Sequence, residues 1–302
     1  MRSEPSAIGL LIDRTFLHRL RHAVGRDVAA FDVAVEPDPE LCSLLEPSFE
    51  SVEDVRRRLT RLESALLDRD DRRAVFATVY AEMTEQAVRA IDADVFQNPA
   101  WMKRYLVRFA EYYRRAFLDY ERGERSAVPD PWTVAFATAI EGNALVVQDA
   151  FLGINAHINY DLALTLSDVG IDPDRASKYA DHDCVNDILR SLVAVQRELL
   201  AERYAPGLSR IGDGLGDLDE LGATLGLRAG REKAWRVAVV RTDAGWLPVD
   251  RYTRWVIHRT ATGTAHVLLA PHVPEATMRT LRAIEGDEFD LRSFAARFHE
   301  RA

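Results

Sequence analysis

Through most of the first 205 residues, apolar side chains return every three or four positions, the spacing of helices that bury one face. The pattern predicts helices over Arg14–Val24, Val52–Leu67, Arg73–Ile91, Trp101–Tyr120, Trp132–Leu166 and Arg175–Tyr204. Proline, glycine and acidic turns separate them, as in "VEPDPE", "QNPAW", "AVPDPW" and "VGIDPDR", which carry helix stop and start signals. In "GIDPDR" Asp172 is placed to cap a helix with Pro173 at its first position, where the missing N–H costs nothing. Residues 206–230 change character to a glycine- and acid-rich run that reads as a loop. Its Asp213, Asp217 and Asp219 lack the twelve-residue calcium-loop pattern and its closing glutamate, so they read as a solvated linker. Beyond it, Val, Thr, Trp and Ile favour strands over 234–270, whereas segment length favours helices. The expected fold is all-α. A single-domain multi-helix bundle surrounds one central buried helix, with a helical core over 1–205, the loop over 206–230 and a C-terminal segment over 231–302 packed on the core. That last segment is read as helical or, against the length argument, partly β.

The central element is the stretch around "FLGINAHINYDLALTL", Phe151–Leu166. Turned through about 100° per residue, it and its upstream part "AIEGNALVVQDA" show apolar residues on every side, the mark of a helix surrounded by protein. Each polar residue on such a helix needs a partner, because an unpaired buried group costs roughly 1–3 kcal/mol. Glu141, Gln148, Asn155 and Asn159 fall on one line, while His157 and Asp161 lie four apart on nearly the opposite face. Spaced one turn apart, a histidine and an aspartate can reach one metal ion, or the carboxylate can orient the imidazole through a hydrogen bond. Gly153, one turn before His157, lets a neighbouring helix come close.

The next helix repeats the anomaly in "SKYADHDCVNDIL". On its wheel Asp181 and His182 fall within the apolar face and Asn186 on its edge, whereas Asp183 points away. Antiparallel packing of the two helices would bring His157 and Asp161 opposite Asp181 and His182, a set suited to one divalent ion such as zinc, iron or manganese. A hydrogen-bonded core network that only fixes helix register uses the same residue types and is the commoner arrangement. A metal-free ligand pocket is the third reading. Other candidates are weaker: His18 and His22 point away from their helix's apolar side, and the stripe Trp101, Tyr105, Phe109 and Tyr112 has the spacing of core. His258, His266 and His272 cannot be phased, and Asp149 lies on neither polar line.

Composition removes several classes. A net charge of -9 argues against a surface built to neutralise phosphates, so no nucleic-acid partner is expected. Two cysteines, Cys42 and Cys184, make neither a disulfide framework nor a CxxC pair. The first residues are too short an apolar run for a secretory signal, and no stretch reaches the about 18 apolar residues of a spanning helix, so a soluble, cytoplasmic protein without a membrane partner is expected. No Walker loop, GxGxxG, GxSxG or HExxH is present. The pattern specifies no oligomeric state.

At "LGINAHINYDLALTL", followed by "DHDCVNDIL", the chain resembles DUF5995, an uncharacterised family of bacterial and archaeal proteins. The specific piece is Asn155-Ala156-His157-Ile158-Asn159 with Asp161, and the likeness extends over Trp101–Leu200, with Asp183 and Asn186 as its Asp and Asn pair on the next helix. The resemblance implies an all-helical body and supplies no activity. The helical zinc phospholipase C and P1 nuclease class offers only an analogy, because this chain lacks its N-terminal tryptophan ligand and its closely spaced histidines. Two functions follow as expectations. In one, the buried His/Asp/Asn site binds a divalent metal or a small-molecule ligand, with hydrolase-like chemistry if a metal activates water. In the other, the protein is a non-catalytic scaffold or small-molecule binder whose polar residues lock the helices together.

Overall fold

A computed structural model describes residues 28–208, 226–270, 275–288 and 290–302, with Arg21 and Arg26 besides. Helices α1 (Pro39–Leu45), α2 (Val52–Asp68), α3 (Ala74–Asp92) and α4 (Pro99–Glu121) follow one another through short turns. Their starts follow the capping chemistry. Asp38 accepts from the Glu40 and Leu41 amides ahead of Pro39, and Ser51 accepts from the Asp54 amide. The chain continues through α5 (Asp130–Glu141), α6 (Val146–Ala156), a π turn (His157–Asp161), α7 (Leu162–Val169) and α8 (Arg175–Leu208). It closes with α9 (Leu227–Asp243), α10 (Leu247–Leu269), α11 (Glu275–Glu288) and α12 (Leu291–Arg301). No strand occurs among the described residues, so the strand-favouring residues of 234–270 lie on α9 and α10, where burial decides over propensity.

Three local expectations are corrected. The helix expected over Trp132–Leu166 is broken at Gly142, whose φ of +65° closes α5 with its amide bonded to Thr138 and Ala139. Glu141 therefore ends α5 on the surface rather than continuing the line of Gln148. The cap expected at Asp172 lies too early: α8 begins at Arg175 after Asp174 at φ +65°, whose carbonyl accepts the Lys178 amide, while the Asp172 carboxylate holds the Arg175 guanidinium. The loop expected over 206–230 is helical at both margins, since α8 reaches Leu208 and α9 starts at Leu227; Asp213, Asp217 and Asp219 lie outside the described residues.

The frame that positions the site is the run α6, π turn and α7. From Ala144 to Leu166 every residue except Tyr160 is buried. Helices α3 and α5 flank α6, α4 and α9 flank α7 and the π turn, and α10 lies along α6 and the π turn. Close approach of α3 depends on Gly153: a Cβ there would stand 2.5 Å from Phe76 Cδ2 and 2.8 Å from its Cβ. Phe76 cannot yield, because its ring is held edge-on against Tyr113 and Trp132. We predict that Gly153→Ala costs about 1–3 kcal/mol, read as a lowered denaturation midpoint; an unchanged midpoint would show that α3 has slack at this contact.

At the far end of the chain, α12 is fastened by charge. His299 on α12 lies 2.8 Å from Glu82 on α3 and 2.8 Å from Glu63 on α2. The Glu63 carboxylate raises its pKa to about 9 against the effect of burial, with Glu82 adding to the rise. An unfolded histidine titrates near roughly 6.5, so this contribution to stability is whole below that pH and is lost as pH climbs through about 9. Amide exchange in α12, corrected for intrinsic rate, is expected to speed up between pH 6.5 and 10 in the native chain but not in His299→Gln. Equal acceleration in both would remove His299 as the cause.

Candidate functional site

The two polar lines of the central run meet different neighbours. Gln148 spans α6 and α10: its Oε1 accepts the Leu145 amide at 2.9 Å and its Nε2 donates to the Leu268 carbonyl at 2.7 Å. Asn155 donates to the Ala261 carbonyl of α10 at 2.9 Å and accepts from Asn159 Nδ2 at 2.9 Å. Asn159 Oδ1 rests on the backbone of Gly230 in α9, where a Cβ would come within 2.8 Å of it. These three side chains are braces. Glu141, expected on the same line, is exposed and accepts only from Asn143 at 3.3 Å, because the break at Gly142 removes it from the buried run.

On the opposite face the helix widens. His157–Asp161 is a π turn, a single-turn irregularity that recurs at functional sites. His157 Nδ1 and Asp161 Oδ2 are 2.9 Å apart, and the Trp132 indole N–H of α5 donates to the same oxygen at 2.9 Å. Around the imidazole stands a box of rings: Phe109 stacks on it at 3.5 Å between centroids and 7° between planes, and Tyr80 meets it edge-on at 4.5 Å. Among the described residues three buried atoms of the π turn have no hydrogen-bond partner: His157 Nε2 and Asp161 Oδ1 on this face, and Asn159 Oδ1 against α9. Burial holds the imidazole well below the usual histidine range. It drives the Asp161 carboxyl well above the usual carboxylate range, with the Trp132 hydrogen bond opposing it. The pair is therefore built to carry little charge.

The second cluster faces elsewhere. Asp181 on α8 closes the start of α4, its two oxygens accepting the Gln97 amide at 2.7 Å, the Asn98 amide at 2.8 Å and Asn98 Nδ2 at 2.9 Å. His182 lies 3.2 Å from the Tyr105 hydroxyl through Nδ1 and 3.3 Å from the Arg231 carbonyl through Nε2. Asn186 receives the Arg231 Nε–H at 2.8 Å and donates to Asp183 at 2.7 Å. Of the two neighbouring aspartates, Asp181 is the buried one and Asp183 the partly exposed one. Asp181 and His182 thus engage α4 and α9, and the hydrogen bonds of His157 and Asp161 run within the π turn and to α5. Among the described residues no three of His, Cys, Asp and Glu gather in a way that could hold a metal ion.

Between these clusters lies an apolar cavity of about 30 Å³, walled by α3, α4, α6, the π turn, α8 and α9. Phe76, Tyr80, Phe109 and Leu192 form much of its wall; His157 and Arg231 border it, and the surface that faces it is almost wholly apolar.

The model of a family of unknown function, DUF5995, matches residues 52–271. The chain belongs to this family. No curated protein and no solved structure matches the chain. The DUF5995 match begins at α2, ends just past α10 and contains every residue of both clusters and of the cavity wall. Among the described residues no helix is long and apolar enough to cross a membrane.

Within this family unit, several site residues have no sequence signal of their own. Trp132 and Tyr80 read as ordinary core, and Arg231 reads as a surface cation, although it is 1% exposed. Phe109 and Tyr105 belong to the aromatic stripe read as core; they are core, and each also supports one of the buried histidines. Asp149 is bonded to the Arg72 guanidinium at 2.8 Å, and burial lifts its carboxyl to about 7. His258 pairs with Asp130 at 3.2 Å, and His266 is buried beside Phe31. His18, His22 and His272 lie outside the described residues.

Burial, with the Arg231 charge second, holds His182 well below the usual histidine range. An unfolded histidine takes up a proton below about pH 6.5 that native His182 refuses, so its contribution to stability is present above that pH and is lost as pH falls. The raised carboxyls act with the opposite sign, so the comparison must be with a variant. Relative to His182→Gln, the native chain is expected to lose stability in denaturant melts from pH 7 to pH 5; a constant difference would mean that His182 titrates as freely when folded.

Proposed function

We propose that this DUF5995 protein is a helical small-molecule binder whose cavity takes a compact, largely apolar molecule and meets one polar atom of it with His157. The observation that supports the reading is the unpartnered Nε2 of an imidazole whose other nitrogen is held by Asp161, in the wall of an apolar cavity. A fixed ring with one nitrogen engaged presents the other in a set direction, as donor or acceptor. Leaving such an atom unpaired costs roughly 1–3 kcal/mol, and a ligand atom bonded to it recovers that cost. Apolar walls with a few placed polar groups are the usual form of a ligand site.

A second reading is favoured by a separate observation. Gln148, Asn155 and Asp181 spend their polar groups on holding helices together, which supports a scaffold role for that part of the network. The two readings part at His157. Equilibrating the protein with methanol, ethanol and acetonitrile, molecules sized to a cavity of about 30 Å³, is expected to raise its melting temperature, by about 2.7 kcal/mol of stability at a hundred times Kd. The same additions should perturb the His157 ring resonances, and His157→Phe should keep the fold and lose the response. If no compound shifts either the melting curve or the His157 ring, the cavity is structural and the scaffold reading stands alone.

A further inference from the structure

The turn from α9 into α10 carries large apolar side chains outward. Trp246 is 64% exposed and Leu247 62%, and further along α10 Tyr252 and Trp255 are 42% and 43% exposed. The backbone fixes their placement: the Trp246 carbonyl accepts the Val249 and Asp250 amides at 3.0 and 3.2 Å, so Trp246 and Leu247 stand at the first turn of a formed helix. The Tyr252 and Trp255 rings stack on each other at 5.9 Å between centroids. At about 100° per residue Pro248, Tyr252, Trp255 and Arg259 share one face of α10, with Arg251 at its edge, while Thr253, Val256, Ile257 and Thr260 turn inward. Single exposed apolar residues are ordinary, but four large ones at one helix start make a patch.

The charge of the patch is opposite to that of the chain. Between Trp246 and Arg259 the sequence has three arginines, Arg251, Arg254 and Arg259, against one acid, Asp250, in a chain of net charge -9. The carboxylates beside it are engaged: Asp250 with Arg241 and Arg254, Asp243 with Arg175, and Asp130 with His258. Tryptophan and tyrosine join an apolar body to a polar tip, and arginine sets its charge on an aliphatic stem, so these residues settle where hydrocarbon meets water. Trp246 and Leu247 project from the turn, and a projection of this kind fits a surface that deforms around it.

We propose that the α9–α10 corner docks the protein on an anionic lipid bilayer, with Trp246 and Leu247 entering the headgroup layer, Tyr252 and Trp255 lying along it, and Arg251 and Arg259 meeting the phosphates. Peripheral docking needs no spanning helix; it takes an apolar and a cationic signal together, and this face supplies both. The negative charge of the chain as a whole is repelled by the same surface, which turns this corner toward it. The proposal stands apart from the reading of the cavity.

The test mixes the full-length protein with vesicles of phosphatidylcholine and, separately, of phosphatidylcholine with a quarter phosphatidylglycerol, and reads the bound fraction by co-sedimentation. Binding to the anionic vesicles is expected to be tighter by about tenfold or more and to weaken with added salt. Arg251→Gln with Arg259→Gln should remove most of that preference, and Arg251→Lys with Arg259→Lys should keep it. Trp246→Ser with Leu247→Ser should weaken anionic binding by about tenfold or more. Lipids brominated near the headgroup should quench the native fluorescence, and Trp246→Phe should lose much of that quenching. Unchanged melting temperatures would show that the variants fold. No binding to either vesicle, or equal binding insensitive to salt, would overturn the proposal. Affinity unchanged by Trp246→Ser with Leu247→Ser would put the contact elsewhere and overturn it too. A dimer in sedimentation velocity that the same variant abolishes, with no vesicle binding, would assign this face to a second copy of the chain instead.

Discussion

A helix with protein on every side has nowhere to send a polar group except into a neighbour, and the rest of this structure follows from that constraint. Between Ala144 and Leu166 only Tyr160 escapes full burial, so each amide, imidazole and carboxyl on the run has to be answered from α3, α4, α5, α9 or α10. Gln148 and Asn155 are answered by carbonyls of α10, and Asp161 by the indole of Trp132. These bonds fix where the outer helices sit as firmly as the apolar contacts do, because sliding any of them by one residue would strand a buried donor or acceptor at roughly 1–3 kcal/mol each.

Among the described residues four of those demands are left open, at Asp149 Oδ1, His157 Nε2, Asn159 Oδ1 and Asp161 Oδ1, and the last three lie where the helix departs from regular geometry into a π turn. Most native polar atoms this deep are paired, so the exceptions carry information. Arg231 is the complementary exception. It has hydrogen bonds and, among the described residues, no ion pair, and it borders the same cavity as His157. A small apolar space beside a ring with an idle nitrogen supports the reading of a site for a very small molecule.

Much of this was legible in the residues. The all-helical class followed from the repeat of apolar positions, and the burial of His157, Asp161, Asp181 and His182 followed from their places on apolar faces. The role of Gly153 was also readable, since a glycine on a surrounded helix marks close approach. What a wheel cannot supply is the neighbour. It assumed one straight helix through Gly142, so it kept Glu141 in line with Gln148, and it assumed that consecutive helices pair, so it set His157 against His182. In the fold α4 answers both histidines, with Phe109 on one and Tyr105 on the other. Arg231 could not have been found from its own stretch "LRAGREKAW", where an arginine among charged residues looks solvated; its burial comes from α8 lying over it. A helix wheel draws only contacts within one helix, whereas the cavity is made by contacts between segments far apart in the chain.

The claim on which the account turns is that His157 is sealed, uncharged and held in a single orientation by Asp161. Nitrogen-15 shifts of its ring, followed from pH 8 to pH 5, test this directly. They are expected to stay constant while solvent-exposed imidazoles titrate around them, because burial opposes the charged form. A full titration of His157 near the free-histidine value of about 6.5 would mean that water reaches the ring, and neither the sealed imidazole nor the idle nitrogen would survive that result.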